Sequence, residues 1–304
     1  MHQDLLTIEE VTKQDLYEII KLAAVYKRSR GTMKEKPLDG KSIGMIFAKS
    51  STRTRVSFEV GIRELGGFSI FLEESKLQVG RGETIPDTAR VLSRYLHAVI
   101  IRTYKHEEVV EFAKYAHIPV INALTDEYHP CQTLADIFTI YEFSEKLEGI
   151  KIAYLGDGQS NMANSLILGA KLAGMELTIC APEEFKPRQD LMGKSLGTGS
   201  AVWEIDPKKA VAQADYIYTD VWVSMGFEEE AKKRVKMLTP YQVNMELLSA
   251  AGPETRILHC LPAHRGEEIT DDVLESKRSI VFDEAENRLH VQKAILALML
   301  GEKN

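Results

Sequence analysis

The sequence predicts an α/β protein of two doubly wound parallel-sheet domains joined by inter-domain helices. Short apolar runs rich in β-branched residues recur at 43–47, 68–72, 98–101 and 119–121, each followed by a helical segment or turn signals. The same rhythm restarts at 150–155 and continues through 177–180, 216–219, 256–259 and 280–282. At 304 residues the chain also exceeds the usual size of one hydrophobic core, so two domains are expected. Strand and helix in strict alternation close most simply as parallel sheets with helices packed on both faces. Residues 132–147 and 284–300 read as two long helices that would link the halves. The domains expected are therefore 1–147, completed by the terminal helix 284–304, and 148–283.

Composition narrows the function. The chain is 44% hydrophobic and 27% charged, the balance of an ordinary water-folded protein, and no apolar stretch is long enough to span a membrane. Residues 1–10 carry early acids and no apolar run behind a basic cluster, so a cytoplasmic location is expected. A net charge of −7 argues against nucleic acid as the main partner, because phosphate backbones demand a basic surface. It leaves small anionic substrates open, since a few arginines converging in one cleft set the local potential. Cys131, Cys180 and Cys260 are too few and too scattered for a disulfide framework, and their spacing makes no zinc site.

In sheets of this kind ligands bind beyond the carboxyl ends of the strands, near the switch in strand order. After the run 43–47 comes Ser50-Ser51-Thr52-Arg53-Thr54-Arg55, then a helical segment that Gly66-Gly67 ends. Hydroxyls, unpaired N–H groups, the positive end of a helix dipole and a guanidinium fork are the parts of a phosphate site. A plain Ser/Thr N-cap with solvated arginines would read the same way. Arg102 closes the run 98–101, and His129-Pro130-Cys131-Gln132 opens the first long helix. Arginine and histidine there suit a carbonyl oxygen that gains negative charge, although a structural role for His129 is equally compatible.

The second half begins with Gly156-Asp157-Gly158-Gln159-Ser160-Asn161 after the run 150–155. A dinucleotide-binding turn would need a third glycine where Asn161 stands, so a nucleotide is not expected. Asn161 instead offers an amide that could donate to a carboxylate at the start of a helix over 162–173. Asp220-Val221-Trp222-Val223-Ser224-Met225-Gly226 follows the run 216–219, with an acid and a hydroxyl suited to an amino-acid head group. For Asp220 a helix cap or a solvated loop acid remains open. His259-Cys260-Leu261-Pro262 follows the run 256–259, where Cys260 could be a nucleophile, a polar contact or a small buried hydrophobe. Glu286-Asn287-Arg288 opens the terminal helix, where Arg288 could reach into a cleft or form a surface ion pair.

Taken together, Ser51-Thr52-Arg53-Thr54-Arg55, His129-Pro130-Cys131-Gln132, the Asp220–Gly226 stretch, His259-Cys260-Leu261-Pro262 and Glu286-Asn287-Arg288 resemble the carbamoyltransferases, and specifically the ornithine branch. Order and approximate spacing agree over nearly the whole chain. The resemblance implies a carbamoyl phosphate domain followed by an ornithine domain. Ser51, Thr52, Arg53 and Thr54 would grip the phosphate, while Arg102, His129 and Gln132 hold the carbamoyl group. Arg288 would join that site from the terminal helix, and the Leu261 carbonyl would accept from the carbamoyl NH2. Asn161, Asp220, Ser224 and the Met225 backbone would hold ornithine, with Cys260 near the reacting amine. The catalytic set implied is Arg102, His129, Cys260 and Thr54, with no metal and no organic cofactor.

The family is typically a homotrimer or an assembly of trimers, in which a neighbour's loop completes each site. Leu77-Gln78-Val79-Gly80 resembles that loop, which makes Gln78 a further carbamoyl phosphate ligand. Rival readings are an aspartate, putrescine or acetylated-ornithine enzyme, or a non-catalytic binding protein. Ser224-Met225-Gly226 and Cys260 argue against the first three, and retention of every expected reactive position argues against the last.

Overall fold

The computed structural model describes residues 2–77, 82–223 and 231–301. It divides into two compact units, Met1–Phe138 with Asn287–Asn304, and Thr139–Glu286.

In the first unit the order is α1 (Lys13–Arg28), β1 (Ser42–Phe47), α2 (Thr52–Glu64), β2 (Phe68–Glu73), α3 (Ile85–Leu92), β3 (Ala98–Arg102), α4 (His106–Tyr115), β4 (Val120–Leu124) and the start of α5 (Pro130–Ser144). The four strands form one sheet, β2-β1-β3-β4, parallel throughout, with Ile43 beside Ser69 on one side and Ala98 on the other. β1 and β3 are apolar along nearly their whole length because helices cover both faces. Ile46, Val99, Ile101 and Val120 of the sheet pack with Ala89 of α3 and Val109 and Phe112 of α4. α2 ends as its sequence dictates: Gly66 takes a left-handed φ of 91°, and the N–H of Gly67 closes back on the carbonyl of Ile62 at 2.9 Å.

The second unit continues with β5 (Lys151–Leu155), α6 (Asn161–Ala173), β6 (Glu176–Cys180), α7 (Gln189–Met192), β7 (Ser200–Glu204), α8 (Pro207–Val211), β8 (Tyr216–Thr219), α9 (Ala231–Leu238), α10 (Met245–Ala250), β9 (Arg256–His259), α11 (Asp271–Leu274) and the start of α12 (Val281–Leu300). Its sheet is β7-β6-β5-β8-β9, again wholly parallel. Ala153, Leu155, Ile217 and Ile257 form the floor of a core that Trp222, Leu238, Val243 and Val273 complete.

Three features differ from the expectations. The run 280–282 is not a strand. The N–H of Ile257 donates to the carbonyl of Arg278 and the N–H of Ile280 to the carbonyl of Ile257, but only as an isolated bridge at Ser279, after which the N–H of Glu284 bonds to the carbonyl of Ile280 and α12 is under way. Asp283 and Glu284 in the first turn favour that helix start. Consequently Glu286, Asn287 and Arg288 lie in its second turn and do not open it. α5 runs over Pro130–Ser144 where 132–147 was expected, stopping at Glu145, whose φ is 55°. β7 was not anticipated at all. No helix among the described residues is long and apolar enough to cross a membrane.

Candidate functional site

Each sheet has one place where the strand order reverses. In the first unit it lies between β1 and β3, and in the second between β5 and β8. The loops beyond the carboxyl ends of these strand pairs diverge and leave room for a ligand. Ser51 follows β1 and Arg102 ends β3 at the first, and Asn161 follows β5 and Asp220 follows β8 at the second.

In the first unit Ser51 caps α2, its Oγ accepting the N–H of Thr54 at 3.3 Å. The first N–H groups of α2 have no intrahelical acceptor by helix geometry, and no acid occupies its first turn to offset the dipole. Thr52 and Arg53 are exposed, whereas Thr54 is buried at 2%. Thr54 Oγ1 accepts from Arg288 Nη2 at 3.2 Å, and the Nη1 of the same guanidinium donates to Gln132 Oε1. Gln132 in turn donates from Nε2 to Asp136 Oδ1 at 2.8 Å, which fixes its amide orientation. Arg102 ends β3, buried at 6%, its carbonyl accepting the N–H of Ala48 at 2.8 Å. His129 precedes α5, and its carbonyl accepts the N–H groups of Gln132 and Thr133. Burial, with the positive charges of Arg288 and Arg102, holds the His129 imidazole well below its ordinary range, so it stays neutral at physiological pH.

This unit therefore brings together Ser51, Thr54, Arg102, His129, Gln132 and Arg288, with Thr52 and Arg53 at the exposed helix start. Cys131, next to them in sequence, is structural: its thiol donates to the carbonyl of Asn122 at 3.4 Å, and burial pushes it up to about 12. Gln78 lies outside the described residues.

In the second unit β5 delivers the turn before α6. Ser160 caps that helix, its Oγ taking the N–H of Ala163 at 3.1 Å and sharing a hydrogen bond with the Tyr154 hydroxyl at 2.9 Å. Asn161 is the first helical residue and half-buried. Asp157 is committed to Arg234 by a buried ion pair, and Arg234 also donates to the Trp222 carbonyl at 2.9 Å. Asp220 follows β8, buried at 6%. Its Oδ1 accepts from the Cys260 thiol at 3.0 Å and from the N–H of Val221 at 2.8 Å. Burial raises its carboxyl above the usual range against the opposing pull of His259 and Cys260. The bland alternative of a solvated loop acid thus does not apply.

The turn after β9 is built by His259. The N–H of Leu261 donates to His259 Nδ1 at 2.9 Å, so the ring proton resides on Nε2, which faces Glu268 Oε1 at 2.9 Å. Glu268 also takes the N–H of His264 at 2.6 Å, and Glu284 takes the N–H of His259 at 2.8 Å. Leu261 is held at a φ of 55°, a left-handed conformation that a branched side chain rarely adopts. Asp220, Cys260 and the turn of Leu261 thus form one cluster, with Asn161 at the neighbouring helix start. Ser224 and Met225 lie outside the described residues. Asp136, Glu268 and Glu284 were not anticipated. Asp136 left a trace as an acid within an otherwise apolar helix, whereas Glu268 and Glu284 lie among other charged residues that hide them.

Comparisons with known proteins agree with this arrangement. Residues 3–142 match the family model described as the carbamoyl-P binding domain of aspartate/ornithine carbamoyltransferase, and residues 148–299 match its Asp/Orn binding domain. The chain is 50% identical over 304 residues to the ornithine carbamoyltransferase of Methanoculleus marisnigri, covering 99% of this chain and 98% of that one. It is 50% identical over 303 residues to that of Archaeoglobus fulgidus, with the same coverage. Among solved structures, ornithine carbamoyltransferase from Pyrococcus furiosus superposes with a TM-score of 0.94 at 47% identity, covering 99% of this chain and 98% of that one. With two switch-point sites of this chemistry and similarity along its whole length, the chain belongs to the aspartate/ornithine carbamoyltransferase family, among the ornithine carbamoyltransferases.

Proposed function

We propose that this protein transfers the carbamoyl group of carbamoyl phosphate to the δ-amine of L-ornithine, giving L-citrulline and phosphate. The observation that carries the reading is the set of donors around Thr54. Arg288, Arg102, a neutral His129 and an uncompensated helix start gather at one strand-order switch. Such a set fits a phosphate joined to a carbonyl.

Ser51, Thr52, Arg53 and Thr54 bind the phosphate, with Gln78 supplied by a neighbouring subunit. Arg102, His129 and Gln132 hold the carbamoyl group, Arg288 braces Thr54 and Gln132, the Leu261 carbonyl receives the carbamoyl NH2, and Cys260 stands near the reacting amine. Asn161, Asp220, Ser224 and Met225 bind ornithine. Residues 1–147 with 284–304 serve the first substrate and 148–283 the second; the family matches, which end at 142 and resume at 148, support the first boundary, and the grouping of Asn287–Asn304 with the first unit supports the place of the terminal helix.

The reaction follows from these parts. A δ-amine of pKa about 10.4 is almost wholly protonated at neutral pH and has to lose its proton before it attacks. Attack on the carbamoyl carbon makes a tetrahedral intermediate whose oxyanion is stabilised by Arg102, His129 and the Thr54 hydroxyl. Collapse breaks the C–O bond to phosphate, whose charge the start of α2 and Arg53 receive, and the phosphate collects the amine proton. The carbamoyl group arrives already activated as a mixed anhydride and nothing is oxidised, so the reaction balances without a cofactor.

A cytoplasmic homotrimer or assembly of trimers acting in arginine biosynthesis completes the proposal. It is supported by family membership and, for the shared site, by the sequence resemblance of Leu77-Gln78-Val79-Gly80. Colorimetric citrulline assay with matched phosphate release tests the activity: one phosphate per citrulline is expected, and phosphate without citrulline would refute it.

A further inference from the structure

We propose that Lys49 is a positioning residue, a clasp that holds the three loops of the carbamoyl phosphate site in register. It stands two residues before Ser51, yet its side chain is only 3% exposed. The ammonium makes an ion pair with Asp126 and lies over the Tyr104 ring at 4.3 Å from the centroid. A buried ammonium is stable only when paired in this way, so the three groups constrain each other.

Each group belongs to a different loop. Lys49 follows β1 and leads into Ser51, Thr52 and Arg53. Tyr104 follows β3 and lies two residues beyond Arg102. Asp126 follows β4 and lies three residues before His129. Backbone bonds complete the link: the N–H of Ala48 to the carbonyl of Arg102 at 2.8 Å, and the N–H of Asp126 to the carbonyl of Tyr104 at 2.8 Å. The turn from Asp126 to His129 is closed by Thr125 and Tyr128, whose backbone N–H groups bond to Tyr128 O and Thr125 Oγ1. The phosphate turn, the Arg102 strand end and the His129 turn are thus tied at one ammonium held between Asp126 and Tyr104. Small displacements of such a set cost rate steeply, because donors must meet the transition state within fractions of an ångström.

The inference rests on the carbamoyl phosphate reading of this site, and the test separates the two. Carbamoyl phosphate binding is measured by calorimetry on the full-length enzyme, beside steady-state constants for both substrates, for wild type, Lys49→Met, Lys49→Arg, Asp126→Asn and the double variant Lys49→Met/Asp126→Asn. The clasp predicts that Lys49→Met and Asp126→Asn each weaken carbamoyl phosphate about tenfold or more, with ornithine KM within about twofold. The double variant should be no worse than the poorer single, because one interaction is removed twice. Lys49→Arg should recover part of the loss.

Asp126→Asn binding carbamoyl phosphate as well as or better than wild type would overturn the proposal, since Lys49 would then act by its own charge. Multiplying losses in the double variant, or equal losses for both substrates with a lowered Tm, would also overturn it. Asp126 is over one-third exposed, and Tm read on every variant restricts the comparison to folded protein. If wild type bound carbamoyl phosphate with this variant pattern yet made no citrulline, the clasp would stand and the proposed function would fall.

Discussion

Arg288 Nη2 donates to Thr54 Oγ1 at 3.2 Å across 234 positions of sequence, while Nη1 of the same guanidinium reaches Gln132. One planar fork thereby sets both Thr54, proposed for the phosphate end of the site, and Gln132, proposed for its carbamoyl end. A lysine ammonium is a point charge and cannot hold two acceptors in that geometry. Arg288→Lys should weaken carbamoyl phosphate by roughly ten- to a hundredfold, the worth of one or two charge-assisted hydrogen bonds, and leave ornithine KM nearly unchanged. Calorimetric titration with carbamoyl phosphate checks this. An affinity within a factor of two of wild type would remove Arg288 from the site.

His129 provides a prediction in pH. Because burial and two arginines depress its pKa, it remains neutral from pH 6 upward and cannot cause a rise in rate over that range. The climb of kcat/KM for ornithine between pH 6 and about 8 should therefore keep its slope in His129→Gln, while kcat falls about a hundredfold through loss of an oxyanion donor. Stability carries the same sign. Above the ordinary histidine value of about 6.5 both folded and unfolded chains hold the ring neutral. Below it only the unfolded chain takes up the proton, so stability drops as pH falls. Urea unfolding from pH 7.5 to 5 should show a smaller loss in His129→Gln than in wild type. A pH–rate profile flattened by the substitution would contradict this account of the ring.

Asp220 sets function against stability. Its folded pKa is raised by burial, so its stabilising contribution is complete only below the unfolded value and is lost as pH rises through the folded one. Charging this buried carboxyl is therefore a cost that the free protein bears. Asp220→Asn keeps an acceptor for the Val221 N–H and the Cys260 thiol, and should leave Tm at pH 7.5 equal or higher. Ornithine should nevertheless bind roughly ten- to a hundredfold more weakly, because a charge-assisted bond to its α-ammonium is gone. A lowered Tm with unchanged ornithine KM would make Asp220 a structural acid.

How much of this was legible in the sequence follows from what each element depends on. β1, β3 and β5 are buried on both faces, so they read as unbroken apolar runs, and the loops beyond them showed their chemistry directly in Ser51-Thr52-Arg53-Thr54 and Asn161. β7 escaped because its apolar run is only Ala201-Val202-Trp203, on an edge strand whose Val202 is 55% exposed. The chain reaches it through Gly199, where a Cβ would meet the Ala170 carbonyl at 2.2 Å, a contact no local pattern reveals. Residues 280–282 deceived in the other direction. Ile280, Val281 and Phe282 have strand propensity, but β9 offers them only a single bridge, and the acids that follow start a helix. Motif residues were legible because their side chains are chemically distinctive. Lys49, Glu268 and Glu284 were not, since their roles depend on partners that only the fold brings near.

The most direct test of the account compares carbamoyl acceptors at saturating carbamoyl phosphate: ornithine, putrescine, lysine and aspartate, with wild type and Asn161→Ala. On the proposed reading ornithine offers an α-carboxylate to Asn161, an α-ammonium to Asp220 and its δ-amine to the carbamoyl carbon, whereas each of the others lacks one of these groups or has a different length. A site that pairs buried polar groups with its substrate should favour ornithine by about a hundredfold or more in kcat/KM. Asn161→Ala should reduce ornithine turnover by more than it reduces putrescine turnover, because putrescine has no carboxylate to lose. Aspartate or putrescine carbamoylated as efficiently as ornithine by the wild-type protein, or equal losses for ornithine and putrescine in Asn161→Ala with folding intact, would contradict the assignment.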